Sequence, residues 1–167
     1  MTYLNIAVMF LHIGSAIAWI GGIVYLRHVL LPVLMQQAPN VRGPVVADLG
    51  PRSVRFLLRA GEITIATGLV NFFLMGSMEK AKLSPVWGAS ITLGFFVTLA
   101  IYILGQAVTR PVTLRMAEVI RTVMAGSGGP EAPAQLEALA ARQRQMLGIQ
   151  LALGTFVVLL MAVARFF

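Results

Sequence analysis

The chain has no cysteine, a single aspartate and only two histidines in 167 residues. The absence of cysteine excludes disulfides, thiolate metal ligands and thiol nucleophiles. Charge is also scarce, at 11% of residues, where a soluble domain carries about 25%. The motifs G-x-S-x-G, H-E-x-x-H and the phosphate-binding P-loop are missing. The one aspartate, Asp48, falls in a loop segment far from His12, which argues against a Ser-His-Asp set. No internal or inverted repeat marks a transporter. The apolar runs are continuous rather than alternating, which excludes a transmembrane barrel.

What is present is mostly apolar, 58% of the chain. Four runs, about 4–26, 56–78, 86–108 and 146–164, reach the roughly 20 residues that a membrane-spanning helix needs. The first run has no Lys or Arg before it and exceeds a signal-peptide core, so it is expected to remain as a span. The predicted fold class is all-α: an integral membrane four-helix bundle, one domain over 1–167. With their flanking turns the spans are expected at about 4–34, 53–78, 86–110 and 140–165.

The net charge of +7 resembles a nucleic-acid signal, but topology accounts for it. Arg27, Arg42, Arg52, Arg55 and Arg59 collect after the first span. Arg110, Arg115, Arg121, Arg142 and Arg144 collect after the third. Arginine and lysine favour cytoplasmic loops, so both termini are expected outside, in the periplasm of a bacterium, with the protein in the inner membrane. Between these elements, 36–51 is expected as a loop because it holds three prolines. Residues 79–86 are expected as an outer turn and 126–134 as a flexible hairpin. Pro32 and Pro111 are expected to bend or end their helices.

Both histidines lie in the first apolar stretch. His12 is deep in it, roughly 12 Å from the outer boundary. Trp19 follows by seven residues and shares its face. His28 is about 160° round the helix, so the two histidines do not serve one site within it. Gly14, Ala18 and Gly22 form a small-residue stripe suited to close helix approach. Met9 is one turn from His12, and Asn71, Met75 and Met161 come to similar or slightly shallower depths. An imidazole among thioethers suits haem iron or Cu(I). Methionine also fills gaps in apolar bundles, and a histidine between helices also serves as a plain hydrogen-bonding group. A second set, Arg27, His28, Arg55, Arg59, Glu62 and Arg110, gathers toward the arginine-rich side. It would suit anionic groups such as haem propionates, lipid headgroups or quinone oxygens. The same residues also act as interfacial anchors. Glu62 is the only acidic residue within a span, and Arg59 is its natural partner.

The segment L-H-I-G-S-A-I-A-W-I-G-G, Leu11 to Gly22, resembles the opening helix of CopD-like (copper resistance protein D) membrane proteins. R-F-L-L-R-A-G at Arg55–Gly61 and T-G-L-V-N at Thr67–Asn71 resemble that family's second helix, and M-A-V-A-R-F at Met161–Phe166 resembles the ending of small members. His12, Trp19 and Tyr25-Leu26 are also similar to the first-helix pattern of HemJ-type haem-binding proteins. Arg27 stands where those proteins carry proline. The resemblance implies His12 as the haem or metal ligand with Trp19 packed beside it.

Three functions are expected from these residues. The first is b-type haem binding in electron transfer or redox chemistry, alone or within a respiratory assembly. His12 would be axial ligand, with Met9, Met75, Met161 or a second chain's His12 opposite. The second is copper binding or transport through Met9, His12, Met75, Met78 and Met161. The third is a cofactor-free accessory subunit. Expected partners are membrane lipid and a homodimer or larger membrane complex, not nucleic acid.

Overall fold

A computed structural model describes residues 2–74 and 84–166. Its elements in order are α1 (Thr2–Tyr25), a π-helical turn (Leu26–Leu30), α2 (Leu31–Met35), α3 (Pro39–Leu74), α4 (Pro85–Leu104), a second π-helical turn (Gly105–Thr109), α5 (Arg110–Met124) and α6 (Ala132–Phe166). No strand occurs among the described residues. Four continuous rods result, Tyr3–Met35, Asn40–Leu74, Pro85–Met124 and Ala132–Phe166, each long and apolar enough to cross a bilayer.

The prolines explain where the rods deform. Proline offers no N–H to the carbonyl four residues back and crowds it. Both π-helical turns end two residues before a proline, Pro32 and Pro111. The wider turn absorbs the clash, so the chain continues as helix instead of stopping. The expected loop at 36–51 is largely helix, because α3 already begins at Pro39 and runs through Pro44 and Pro51. Pro51 leaves the Ala47 carbonyl without its helical donor. The Arg121 guanidinium of α5 donates to that oxygen at 2.9 Å and lies 3.9 Å from Asp48. A tertiary contact thereby replaces the lost backbone bond.

Helix α1 packs along α3, and α4 along α6. The bundle core joins Trp19 and Ile23 of α1, Leu57 and Ala60 of α3, Ile101 of α4 and Leu147 of α6. A second core, Ala47 with Met116, Ala117 and Ile120, is covered by Leu136, Leu139 and Ala140. It belongs to a three-helix extension made by the start of α3, all of α5 and the start of α6. Helix α5 is amphipathic, as its sequence foretells, and buries Val112, Thr113, Met116, Ala117, Val119 and Ile120.

Close approach of α1 and α3 depends on small residues. A Cβ at Gly61 would lie 3.0 Å from Cε2 and Cζ2 of Trp19, and one at Gly22 would meet Leu57 Cδ2 at 2.5 Å. Of the expected stripe, Gly22 and Ala18 face the core, whereas Gly14 has nothing within 4 Å. Near one end, Phe72 of α3 stacks on Trp87 of α4, with ring centroids 6.5 Å apart.

Gly61→Leu is expected to drive the indole out of the seam and cost about 1–3 kcal/mol. Thermal unfolding in detergent measures this. The double variant Gly61→Leu/Trp19→Ala should lose less than the sum of the two single changes, and strict additivity would mean that the two residues are not in contact.

Candidate functional site

The seam between α1 and α3 carries polar groups from the middle of α1 toward its N-terminal end. His12 is half-buried there. Its Nδ1 lies 2.9 Å from the Thr64 carbonyl oxygen, which only accepts, so Nδ1 carries the proton and donates. The Thr67 hydroxyl is 3.4 Å from the same nitrogen. The other nitrogen, Nε2, makes no hydrogen bond to any described residue. An imidazole held through Nδ1–H to a backbone carbonyl is the arrangement that orients histidine as a metal ligand.

The α3 surface has a glycine where the ring meets it. A Cβ at Gly68 would stand 2.9 Å from Cε1 and 3.2 Å from Nδ1 of His12. One turn along α1, the Ser15 and Thr64 hydroxyls meet at 2.9 Å, and the Thr64 hydroxyl also lies 2.8 Å from the Ala60 carbonyl. Two turns along, buried Trp19 packs on Gly61. His12 and Trp19 therefore share the α3-facing side, as their spacing of seven requires. Toward the N-terminus, Asn71 Nδ2 is 3.4 Å from Met9 Sδ. Asn71 Oδ1 is buried with no hydrogen-bond partner. An orphaned buried acceptor is costly, and it marks this part of the seam as a place where a donor or a cation would be stabilised.

The expected methionines separate. Met9 belongs to the α1/α3 seam. Met161 of α6 packs its methyl against Gly94 of α4. Met75 and Met78 lie outside the described residues, as does most of the turn expected at 79–86. Among the described residues, no group of three or more histidine, aspartate or glutamate side chains is placed to hold a metal ion.

The second expected set is only partly brought together. Arg59 donates through Nη1 to Glu62 Oε2 at 2.7 Å. The Tyr102 hydroxyl donates to Glu62 Oε1 at 2.9 Å. Gln106 Nε2 donates to that phenolic oxygen at 2.8 Å, and Arg110 Nη1 donates to Gln106 Oε1 at 3.2 Å. Every donor in this relay points toward the Glu62 carboxylate, which joins α3 to α4 and its π-helical turn. Arg27 belongs to another contact, donating to the Arg144 carbonyl of α6 at 2.8 Å. Arg55 turns back to the Pro51 carbonyl at 3.3 Å. His28 is exposed.

The relay members Tyr102 and Gln106 are not in the set expected from sequence. Their signal was the i, i+4, i+8 run Tyr102, Gln106, Arg110, which puts three polar groups on one stripe of an apolar helix. Gln150, buried in α6, was also missed. Its Nε2 donates to the Ile101 carbonyl at 3.3 Å, and the Thr109 hydroxyl approaches its Oε1 at 3.5 Å.

No family model, no curated protein and no solved structure matches this chain. The functional reading therefore stands on the residues themselves.

Thr64→Val removes the Ser15–Thr64 hydroxyl contact while keeping the backbone carbonyl that orients His12. The expected loss is about 0.6 kcal/mol, the average for such bonds between membrane helices. Nitrogen NMR of labelled histidine should still report the Nδ1–H tautomer. A switch to the Nε2–H form would show that the Thr64 carbonyl does not set it.

Proposed function

We propose that this chain is a multi-pass protein of the bacterial inner membrane, with both termini in the periplasm, that binds b-type haem through His12 and takes part in electron transfer. The membrane placement is supported by four long apolar rods and by large apolar side chains on their outer surfaces, such as Phe10 at 76%, Ile17 and Phe73 at 67% and Phe96 at 60% exposure. Water does not tolerate so much continuous apolar surface, whereas acyl chains match it. The arginines cluster at the opposite end from the termini, which supports the orientation.

The observation that carries the haem reading is the state of His12. Its Nδ1–H is committed to the Thr64 carbonyl, and Nε2 is held in a fixed orientation with no hydrogen bond among the described residues. The residues present fit the group at this one ligand. Thr64 holds the tautomer, Gly68 leaves room for the ring, and Trp19 and Gly61 set the helix spacing. Haem bound there supplies one-electron chemistry. Met9 would offer a thioether on the same side as His12, Met161 turns toward α4, and a second copy's His12 would offer a further imidazole. The resemblance of Leu11–Gly22 to CopD-like first helices, and of His12, Trp19 and Tyr25-Leu26 to HemJ-type ones, supports the same ligand.

Copper handling is the second reading, favoured by one observation. Met9 brings a thioether to the seam that holds His12, and Cu(I) prefers thioether and imidazole ligands.

Detergent-purified protein, oxidised and then dithionite-reduced, is expected to show a Soret band with reduced α and β bands. His12→Ala should abolish them, while Met9→Ala should shift the spectrum without removing it. A flat visible spectrum from cells supplied with haem precursor would falsify the haem reading. Copper in that flat sample, lost on His12→Ala or Met9→Ala, would establish the second reading in its place.

A further inference from the structure

We infer that the Arg59–Glu62–Tyr102–Gln106–Arg110 relay forms the headgroup site for an anionic phospholipid bound between α3 and α4. This depends on the membrane placement proposed above and is independent of haem. The relay holds two guanidiniums against one carboxylate, so it carries an excess positive charge. Each guanidinium spends one nitrogen on the relay, Arg59 on Glu62 and Arg110 on Gln106. Their remaining N–H groups have no partner among the described residues. The Arg59 side chain is 80% exposed, and Arg110 is exposed as well.

The hydrogen bonds fix both arginine heads in place before any ligand arrives. Arginine presents a planar fork of donors that matches phosphate oxygens, and a fork already anchored loses less freedom on binding. A loosely snorkelling arginine lacks that anchoring.

The surroundings choose lipid over a free anion. Phe56 and Ile63 lie three residues before and four after Arg59 on its face of α3, at 60% and 45% exposure. Ile103, on the α4 side of the π-helical turn that leads to Arg110, is 53% exposed. Charged forks thus border apolar surface on both helices, which is the pattern of a phospholipid lying with its phosphate at the arginines and its chains along the rods.

The test is native mass spectrometry of the full chain in mixed micelles of phosphatidylglycerol and phosphatidylcholine. Carbonate-washed membranes are checked first for the protein. Recovery in the soluble fraction would overturn the membrane placement and this site with it. From a membrane-bound protein, phosphatidylglycerol is expected to be retained over phosphatidylcholine. Arg59→Gln/Arg110→Gln should lower that retention on the order of tenfold. Arg142→Gln/Arg144→Gln removes the same charge from exposed positions on α6 and should leave retention near wild type. Tyr102→Phe keeps both arginines but cuts the relay, and should also weaken retention. The proposal is overturned if the two double variants lose lipid equally, which would indicate diffuse charge. It is overturned as well if Tyr102→Phe and Arg59→Gln/Arg110→Gln both retain lipid as wild type. Displacement of the lipid by inorganic phosphate would reassign the site to a free anion.

Discussion

A backbone carbonyl that loses its N–H partner inside a helix must find another donor or deform the helix, and much of this structure follows from that requirement. Prolines stand at 32, 44, 51 and 111 within or beside long helices. At Pro32 and Pro111 the preceding turn widens to a π-helix, so that each rod continues past the proline. At Pro51 the freed Ala47 carbonyl takes the Arg121 guanidinium instead. That bond docks α5 onto α3 and helps to hold the small second core of Ala47, Met116, Ala117 and Ile120. The same accounting applies to side chains. In an apolar seam, Thr64, Ser15 and Gln150 each answer to a neighbour, and Asn71 Oδ1 is the exception.

Two seams carry clusters of polar groups, apart from the buried Gln150 of α6. The α1/α3 seam holds His12, Ser15, Thr64, Thr67, Met9 and Asn71, with Trp19 against Gly61 as its steric anchor. The α3/α4 seam holds the relay that ends on Glu62 and, at its other end, the Phe72–Trp87 stack. Helix α3 belongs to both. Its polar face turns over along its length: Arg55, Arg59 and Glu62 occupy one side, and Thr64, Thr67 and Asn71 the other. One helix can therefore orient an imidazole toward one neighbour and a carboxylate toward another. Glu62 keeps both oxygens hydrogen-bonded, which is the condition for a carboxylate in an apolar span.

Much of this was legible in the chain. The four apolar runs, the shared face of His12 and Trp19, the Arg59–Glu62 pair and the amphipathic α5 all follow from composition and the 3.6-residue period. Residues 39–51 were not legible as helix, because three prolines in a short polar segment read as a loop. The freed Ala47 carbonyl there takes its donor from Arg121, a residue 74 positions away, and no local rule reports such a donor. Tyr102 and Gln106 were visible as a polar stripe, but nothing local tied that stripe to Glu62, 40 residues away from Tyr102. Met161 matched His12 in depth and still faces α4, since depth counts residues along a rod and is silent on its rotation.

By itself, then, the sequence determined that the chain forms apolar rods of membrane-spanning length and which residues share a face of each. Local period and hydropathy suffice for that, because every backbone bond of a helix lies within the helix. Only the tertiary structure decided which faces meet, and so which nitrogen of His12 meets the Thr64 carbonyl and where the Glu62 carboxylate finds its second donor. Those outcomes depend on helix rotation and pairing, set by contacts such as Trp19 on Gly61 between residues far apart in the chain.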